Sequence, residues 1–409
     1  MSANDSYGWV RGANYVPSYG ATNVEEWNNF DPAIVDRELG FAERLGLNSV
    51  RVNLQYLVYE RYPKRFLRNV AKFVELCDRH HIRPMLVLFD GCFGTSPSLE
   101  SAAYWVASPG PDRTNPAFYP LGEKYVRDVL ALFRGDSRVL MWDVMNEPTS
   151  TYLVNTDEGK KLVWDFVRHF CDYVHKLDSF HPITVGIATF DNADMIDCVD
   201  VLSMHSYNKD PEAFRKEIHT AREQAERVGK PLIITECCAP GWGQDYEVAM
   251  PIVREEHLGY YVWEVMIART QFAPIAGLFY PDGTVRRISH AEAVYGGSVP
   301  GLVEKPDSEG VPINSGPPVL TLTGPSLKRM AASRTNKHTC AERLSLLKLL
   351  SLSSLFGQRN ETIAAGVKEA EAMLEAGKTR EAYIRLNELL QIAQPALEES
   401  ASNATKQGQ

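Results

Sequence analysis

At 409 residues the chain has room for an α/β barrel of the usual ~250 residues and an appendage beside it. Its 44% hydrophobic and 23% charged residues are ordinary for a chain that buries a normal core, and a net charge of -9 argues against nucleic acid or an anionic membrane as its partner. No run of ~18 apolar residues is present to span a bilayer.

From residue 12 to about 297, short apolar runs alternate with longer amphipathic segments. GANYV (12–16) reads as the first strand. DPAIVDRELGFAERLG reads as a helix with Asp31 as its cap, Pro32 in its first turn and Gly46 as its stop. NSVRVNL (48–54), rich in β-branched residues, is the second strand. A helix over 63–81 leads into RPMLVLFD (83–90), one over 121–134 into VLMWDVMNEP (139–148), and one over 157–177 into PITVGIA (182–188). The short DNADMIDC segment precedes VDVLSMHSY (199–207), a helix over 211–229 precedes PLIITEC (231–237), and one over 245–257 precedes GYYVWEVM (259–266). Eight runs buried on both sides and separated by crossovers predict an α/β fold, a (β/α)8 TIM barrel over residues 1–297. A doubly wound sheet is the alternative, but no GxGxxG turn follows the first strand.

Residues 298–338 carry Pro300, Pro306, Pro312, Pro317, Pro318 and Pro325 among Gly, Ser and Thr, and read as a linker with one short strand at PVLTLT. Over 339–397 a helical hairpin is expected: Ile363, Val367, Ala370 and Leu374 share one helical face, Tyr383, Leu386, Leu390 and Ala393 another, and Gly377 marks the turn. The tail, 398–409, is expected to be disordered.

In a parallel barrel, functional groups gather at the C-terminal ends of the strands. Here those ends deliver Arg51, Asp90, Asn146, Glu147, His205, Tyr207, Glu236 and Trp263, a polar set that is costly to bury without purpose. Glu147 ends strand 4 and Glu236 ends strand 7. Two carboxylates facing each other across a barrel mouth suit glycoside hydrolysis with retention, which needs them ~5–5.5 Å apart.

WDVMNEP (142–148) and IITEC (233–237) resemble the strand 4 and strand 7 motifs of the large retaining glycoside hydrolase clan that includes the family 5 cellulases and mannanases, and the resemblance extends over roughly 12–297. It implies a retaining β-glycoside hydrolase acting on β-linked oligo- or polysaccharide of glucan, xylan or mannan type, with Glu147 as acid/base and Glu236 as nucleophile. It further implies that Arg51 orients the nucleophile, that Asn146 bonds the sugar 2-hydroxyl, that His205 and Tyr207 form the His-x-Tyr of strand 6, and that Trp263 is the aromatic floor. Where the family pattern commonly carries a His after strand 3, this chain reads VLFDGCFG, so Asp90 supplies that sugar contact or the loop differs. Arg51 and Tyr207 are expected to keep Glu236 charged, and the neighbouring charge to raise the pKa of Glu147.

Tyr56, Phe93, Tyr104, Trp105 and Trp242 follow strands 2, 3 and 7 and are candidate sugar platforms, with Trp242 in APGWGQ the first choice. Seven scattered cysteines without a CxxC pair read as free buried thiols, and no phosphate loop or HExxH motif implies a cofactor or a metal. The N-terminus has no basic segment followed by an apolar run, so a cytoplasmic location is expected. The expected partner is a carbohydrate substrate; the oligomeric state is open. Two other readings remain: a catalytically silent sugar-binding barrel, and an enzyme tethered to a partner through the C-terminal helices.

Overall fold

Apolar strands bury both faces only when helices or barrel packing cover each side. Every residue is buried in β2 (Ser49–Asn53), β3 (Met85–Asp90), β4 (Met141–Asn146), β5 (Ile183–Gly186), β6 (Leu202–His205), β7 (Leu232–Cys237) and β8 (Gly259–Val262). With β1 (Arg11–Asn14) they form one parallel sheet in the order β5-β4-β3-β2-β1-β8-β7-β6. The computed structural model describes residues 7–92, 96–99, 101, 105–267 and 269–305, and in the C-terminal part 340, 343–344, 347–348, 359–379, 381–382, 385–386, 388–390 and 392–393.

The ends of this sheet meet at β5 and β6, where side-chain hydroxyls supplement a sparse backbone pairing. Val201 N–H donates to Ile183 O at 3.1 Å and His205 N–H to Ile187 O at 3.0 Å. Between them Thr184 Oγ1 donates to Val201 O at 2.8 Å, and Ser203 Oγ donates to Val185 O at 2.5 Å while accepting from Ile187 N–H at 3.1 Å. The result is the nearly closed (β/α)8 barrel expected from the sequence.

The layer of helices comprises α1 (Asn23–Asn28), α2 (Pro32–Arg44), α3 (Tyr56–Arg61), α4 (Pro63–Arg79), α5 (Tyr119–Leu130), α6 (Asp157–Leu177), α7 (Pro211–Val228), α8 (Tyr246–Glu255) and α9 (Ile288–Tyr295). Asp31 caps α2 as expected, its Oδ1 accepting from Ala33 N–H at 2.9 Å and Ile34 N–H at 3.2 Å. The helices α1, α3 and α9 were not expected, since six to eight residues carry too little apolar periodicity to reveal themselves. Between β5 and β6 the DNADMIDC segment forms turns.

The helix α3 also corrects one expectation. Gln55 caps it directly after β2, which turns Tyr56 inward, 2% exposed, with its ring edge-on to Phe118 at 4.8 Å. Tyr56 is therefore core and does not serve as a sugar platform. Phe93 and Tyr104 lie outside the described residues.

In the C-terminal part, α10 (Arg359–Glu375) ends before Gly377, whose φ of 75° is in the left-handed region. Ile363, Val367 and Ala370 of α10 pack with Leu386, Leu389, Leu390 and Ala393 in an apolar cluster of their own. Leu374 is partly buried against it. At Gly366 a Cβ would stand 2.5 Å from a Leu389 methyl, so a larger residue there would have to displace that side chain. Residues 306–339 and 394–409, which hold most of the linker and all of the tail, lie outside the described residues. No described helix is long and apolar enough to cross a membrane.

Candidate active site

The barrel mouth is organised around Arg51, a fully buried guanidinium from β2. Each of its five N–H bonds has a partner. Nε and Nη2 donate to Asp143 Oδ2 at 3.0 and 2.8 Å, Nη2 also to Asn146 Oδ1 at 2.6 Å, and Nη1 to Asn14 Oδ1 at 2.9 Å and Glu236 Oε1 at 2.7 Å.

Asp143 and Asn146 stand three residues apart in β4, where plain alternation would point them to opposite faces. The β4–β5 register shifts between these two positions, and both side chains reach Arg51. The neighbouring strand must stay slim here: at Gly186 a Cβ would lie 2.5 Å from Arg51 Nη2. A second shift, between β6 and β7, sets His205 opposite Glu236.

Glu236 accepts from Arg51 through Oε1 and from Tyr207 Oη through Oε2 at 2.8 Å. Glu147 lies one residue beyond β4 with a φ of 42°. That left-handed conformation costs a non-glycine residue roughly 1–3 kcal/mol, a local strain of the kind found at functional sites. Its N–H is tied to Gly186 O at 2.7 Å. Its carboxylate receives His205 Nδ1 at 2.8 Å on Oε1, and Ser150 Oγ at 2.9 Å and Cys92 Sγ at 3.2 Å on Oε2. His205 Nδ1 also lies 3.5 Å from Glu236 Oε2, and one ligating atom each of Glu147, His205 and Glu236 falls within 4.8 Å of the others. These three are close enough to chelate an ion, but the Arg51 cation bonded to Glu236 disfavours a dication there.

The electrostatics run opposite to the expectation from sequence. Burial pushes Glu147 up, but His205, Cys92 and Ser150 outweigh it and hold the carboxyl down at about 2. Burial pushes Glu236 up, with the Glu147 charge adding to it, against the opposing pull of His205, Arg51 and Tyr207. The strand-end residues revealed Arg51, His205 and Tyr207, but not Cys92 and Ser150, the other two donors that converge on Glu147.

Asp90 is 1% exposed. Its Oδ1 accepts from Cys92 N–H at 2.8 Å and Asn146 Nδ2 at 3.1 Å, and its Oδ2 from Trp105 Nε1 at 2.6 Å. Burial raises this carboxyl to about 7 against those three donors. Asp90 thus braces Asn146 and Trp105. Trp105 and Trp263 pack on Phe272, with ring centroids 6.0 and 5.2 Å away, and Tyr207 meets Trp242 edge-on at 4.9 Å. Together they form one apolar cluster with Val16, Ala239 and Ile275. Trp263 is only 6% exposed, while Trp242 and Tyr207 are partly exposed.

Asn14, Asp143, Cys92, Ser150 and Glu264 were missed in the sequence. Asp143 and Glu264 left a signal there, each as a charge within an apolar run, VLMWDVMNEP and GYYVWEVM. Glu264, next to Trp263, is fully buried with no hydrogen bond to either carboxyl oxygen. Burial, and after it the Glu236 charge, push its pKa well up, and Glu264 in turn raises that of buried Glu26. A carboxyl with a raised folded-state pKa contributes stability below its unfolded pKa and loses it as pH rises towards the folded value. The variant Glu264→Gln cannot ionise, so its stability in urea denaturation should gain on wild type as pH rises above the ordinary carboxylate range. Parallel curves would show that Glu264 is not held protonated.

No protein-family model and no curated protein matches this sequence. Solved structures do. An exo-β-1,4-mannosidase from the Opitutaceae bacterium strain TAV5 aligns at 18% identity and a TM-score of 0.54, over 70% of this chain and 58% of its own. The chain therefore spans well under two thirds of that protein's length. A GH5_18 protein from Streptomyces cattleya, in complex with Manβ1-4GlcNAc, aligns at 17% identity and a TM-score of 0.55, over 75% of this chain and 87% of its own. A GH5-4 broad specificity endoglucanase from Clostridium longisporum aligns at 12% identity and a TM-score of 0.54, over 72% of this chain and 97% of its own. At these identities the likeness is one of fold, and the chain is a (β/α)8 barrel similar in architecture to these three proteins.

Proposed function

We propose that this protein is a retaining β-glycoside hydrolase, with Glu236 as nucleophile and Glu147 as acid/base. The observation that carries this reading is the short reach between the two carboxylates, within 4.8 Å of each other and of His205. Retaining enzymes keep their carboxyls ~5–5.5 Å apart, whereas inverting ones leave ~6.5–9.5 Å for a water.

Glu236 attacks the anomeric carbon while Arg51 and Tyr207 hold its two oxygens in place. Glu147 protonates the departing oxygen. His205 Nδ1, 2.8 Å from Glu147 Oε1, is placed to exchange a proton with it. Once the glycosyl ester has consumed the Glu236 charge, Glu147 accepts a proton from water, which attacks the ester and releases the sugar with retained configuration. Asn146, held between Arg51 and Asp90, bonds the sugar 2-hydroxyl.

Aryl β-mannosides, β-glucosides and β-xylosides are the substrates to screen. The mannosidase and the Manβ1-4GlcNAc complex among the similar structures put mannosides first. The variant Glu147→Ala should keep most of its turnover on aryl groups that leave without a proton and lose roughly 10²–10⁴-fold on poor leaving groups. Azide should restore it with retained configuration. Inverted product, or no turnover of any β-glycoside by wild type, would overturn the reading.

A further inference from the structure

Outside the mouth, one cluster combines donors suited to an ion. Asp245 caps α8, its Oδ1 accepting from Glu247 N–H at 2.9 Å. Its other oxygen, Oδ2, stands 3.3 Å from Nε2 of His290 in α9. Single ligating atoms of Asp245, Glu247 and His290 all lie within 4.8 Å of one another.

The imidazole is the telling member. His290 is 3% exposed; its Nδ1 makes no hydrogen bond, and its Nε2 is paired with Asp245 Oδ2 at 3.3 Å. A buried imidazole held by one long contact has polar capacity to spare, and one of its ring nitrogens lies within 4.8 Å of a carboxylate oxygen of both Asp245 and Glu247. The ring leans on Tyr246 at 5.1 Å, and Ser289 Oγ donates to Glu247 Oε1, so imidazole and carboxylate are both held from behind. Glu247 is exposed, which leaves the cluster open to solvent.

We propose that Asp245, Glu247 and His290 bind a borderline first-row dication of the Zn²⁺ class. One imidazole nitrogen and two carboxylate oxygens match such an ion, with water completing the shell, whereas Ca²⁺ favours ~6–8 oxygen ligands. Arg287 also stabilises the Asp245 charge, so the ion competes with one guanidinium. A bound ion joins the first turn of α8 to α9. Through Gly243 and Gln244 it also anchors the turn Pro240–Trp242, which carries Trp242 against Tyr207. None of this depends on the reaction proposed above.

The test is calorimetric titration of ZnCl₂ into the chelator-treated full-length chain, with melting temperature as a second reading. Wild type should bind one ion per chain and melt higher with Zn²⁺, and CaCl₂ should give neither effect. His290→Gln should abolish binding and Glu247→Gln should weaken it at least ~10-fold. The second variant alters an exposed carboxylate, so it remains informative if the first misfolds. The proposal is overturned if wild type gives no saturable binding, if both variants bind like wild type, or if Ca²⁺ binds equally well. It is also overturned if binding survives His290→Gln but is lost in His205→Gln, which would assign the ion to the catalytic trio, or if thiol alkylation alone removes it.

Discussion

Replacing Glu236 with alanine should reduce kcat on an aryl β-glycoside by roughly 10⁴–10⁶-fold while leaving the protein folded. The loss is large because no other group can form the glycosyl ester. Glu147 is held on the other side of His205 by Ser150 and Cys92. The fold should survive, because Arg51 keeps its paired bonds to Asp143 and its bonds to Asn14 and Asn146. The truncation leaves a space lined by Arg51 and Tyr207 that suits a small anion. Added azide should therefore restore turnover and give the inverted glycosyl azide, detected by NMR of the product. A retained product would exchange the roles of the two glutamates, and turnover like that of wild type would remove Glu236 from the chemistry.

Arg51→Met should be the most destabilising substitution at the barrel mouth, by about 3–5 kcal/mol in urea or guanidinium denaturation. The methionine fills much of the space but leaves the Asp143 and Glu236 carboxylates buried without their cation. Arg51→Lys should recover only part of the loss. One ammonium with three donors cannot replace a planar fork that spans Asn14, Asp143, Asn146 and Glu236. The sign of the pH effect is also set. Arg51 lowers the Glu236 pKa, so its removal raises that pKa further, and the acid limb of the kcat/KM profile should move to higher pH in Arg51→Lys if the lysine sits farther from Glu236. A variant as stable as wild type would show that the five bonds around Arg51 contribute little beyond packing.

The eight strands were legible because each is a local event: a short apolar run bounded by a helix stop and a turn. The residues at the mouth were legible for a related reason. A polar side chain at the end of an apolar run has to be accounted for, and Arg51, Asn146, Glu147, His205, Tyr207 and Glu236 all stand in that position. The structure brings these six together. Asp90 stood in the same place in the sequence, and its oxygens are taken up by Trp105, Asn146 and the Cys92 backbone. Tyr56 read as a loop aromatic because α3 is too short to show a period.

Sequence by itself determined the order of strands and helices, the barrel they build and the polar groups at its mouth, since these follow from periodicity, capping and position along a strand. The tertiary structure alone decided how those groups are charged and joined. The register shifts that bring Asp143 and Asn146 to one guanidinium depend on pairing with β5. The low pKa of Glu147 depends on His205 and Cys92 arriving from distant parts of the chain to join Ser150 of its own loop. The meeting of His290 with Asp245 depends on how α9 lies against α8. Each turns on distances through space to groups far away in the chain, and burial, charge and hydrogen bonding act on those distances.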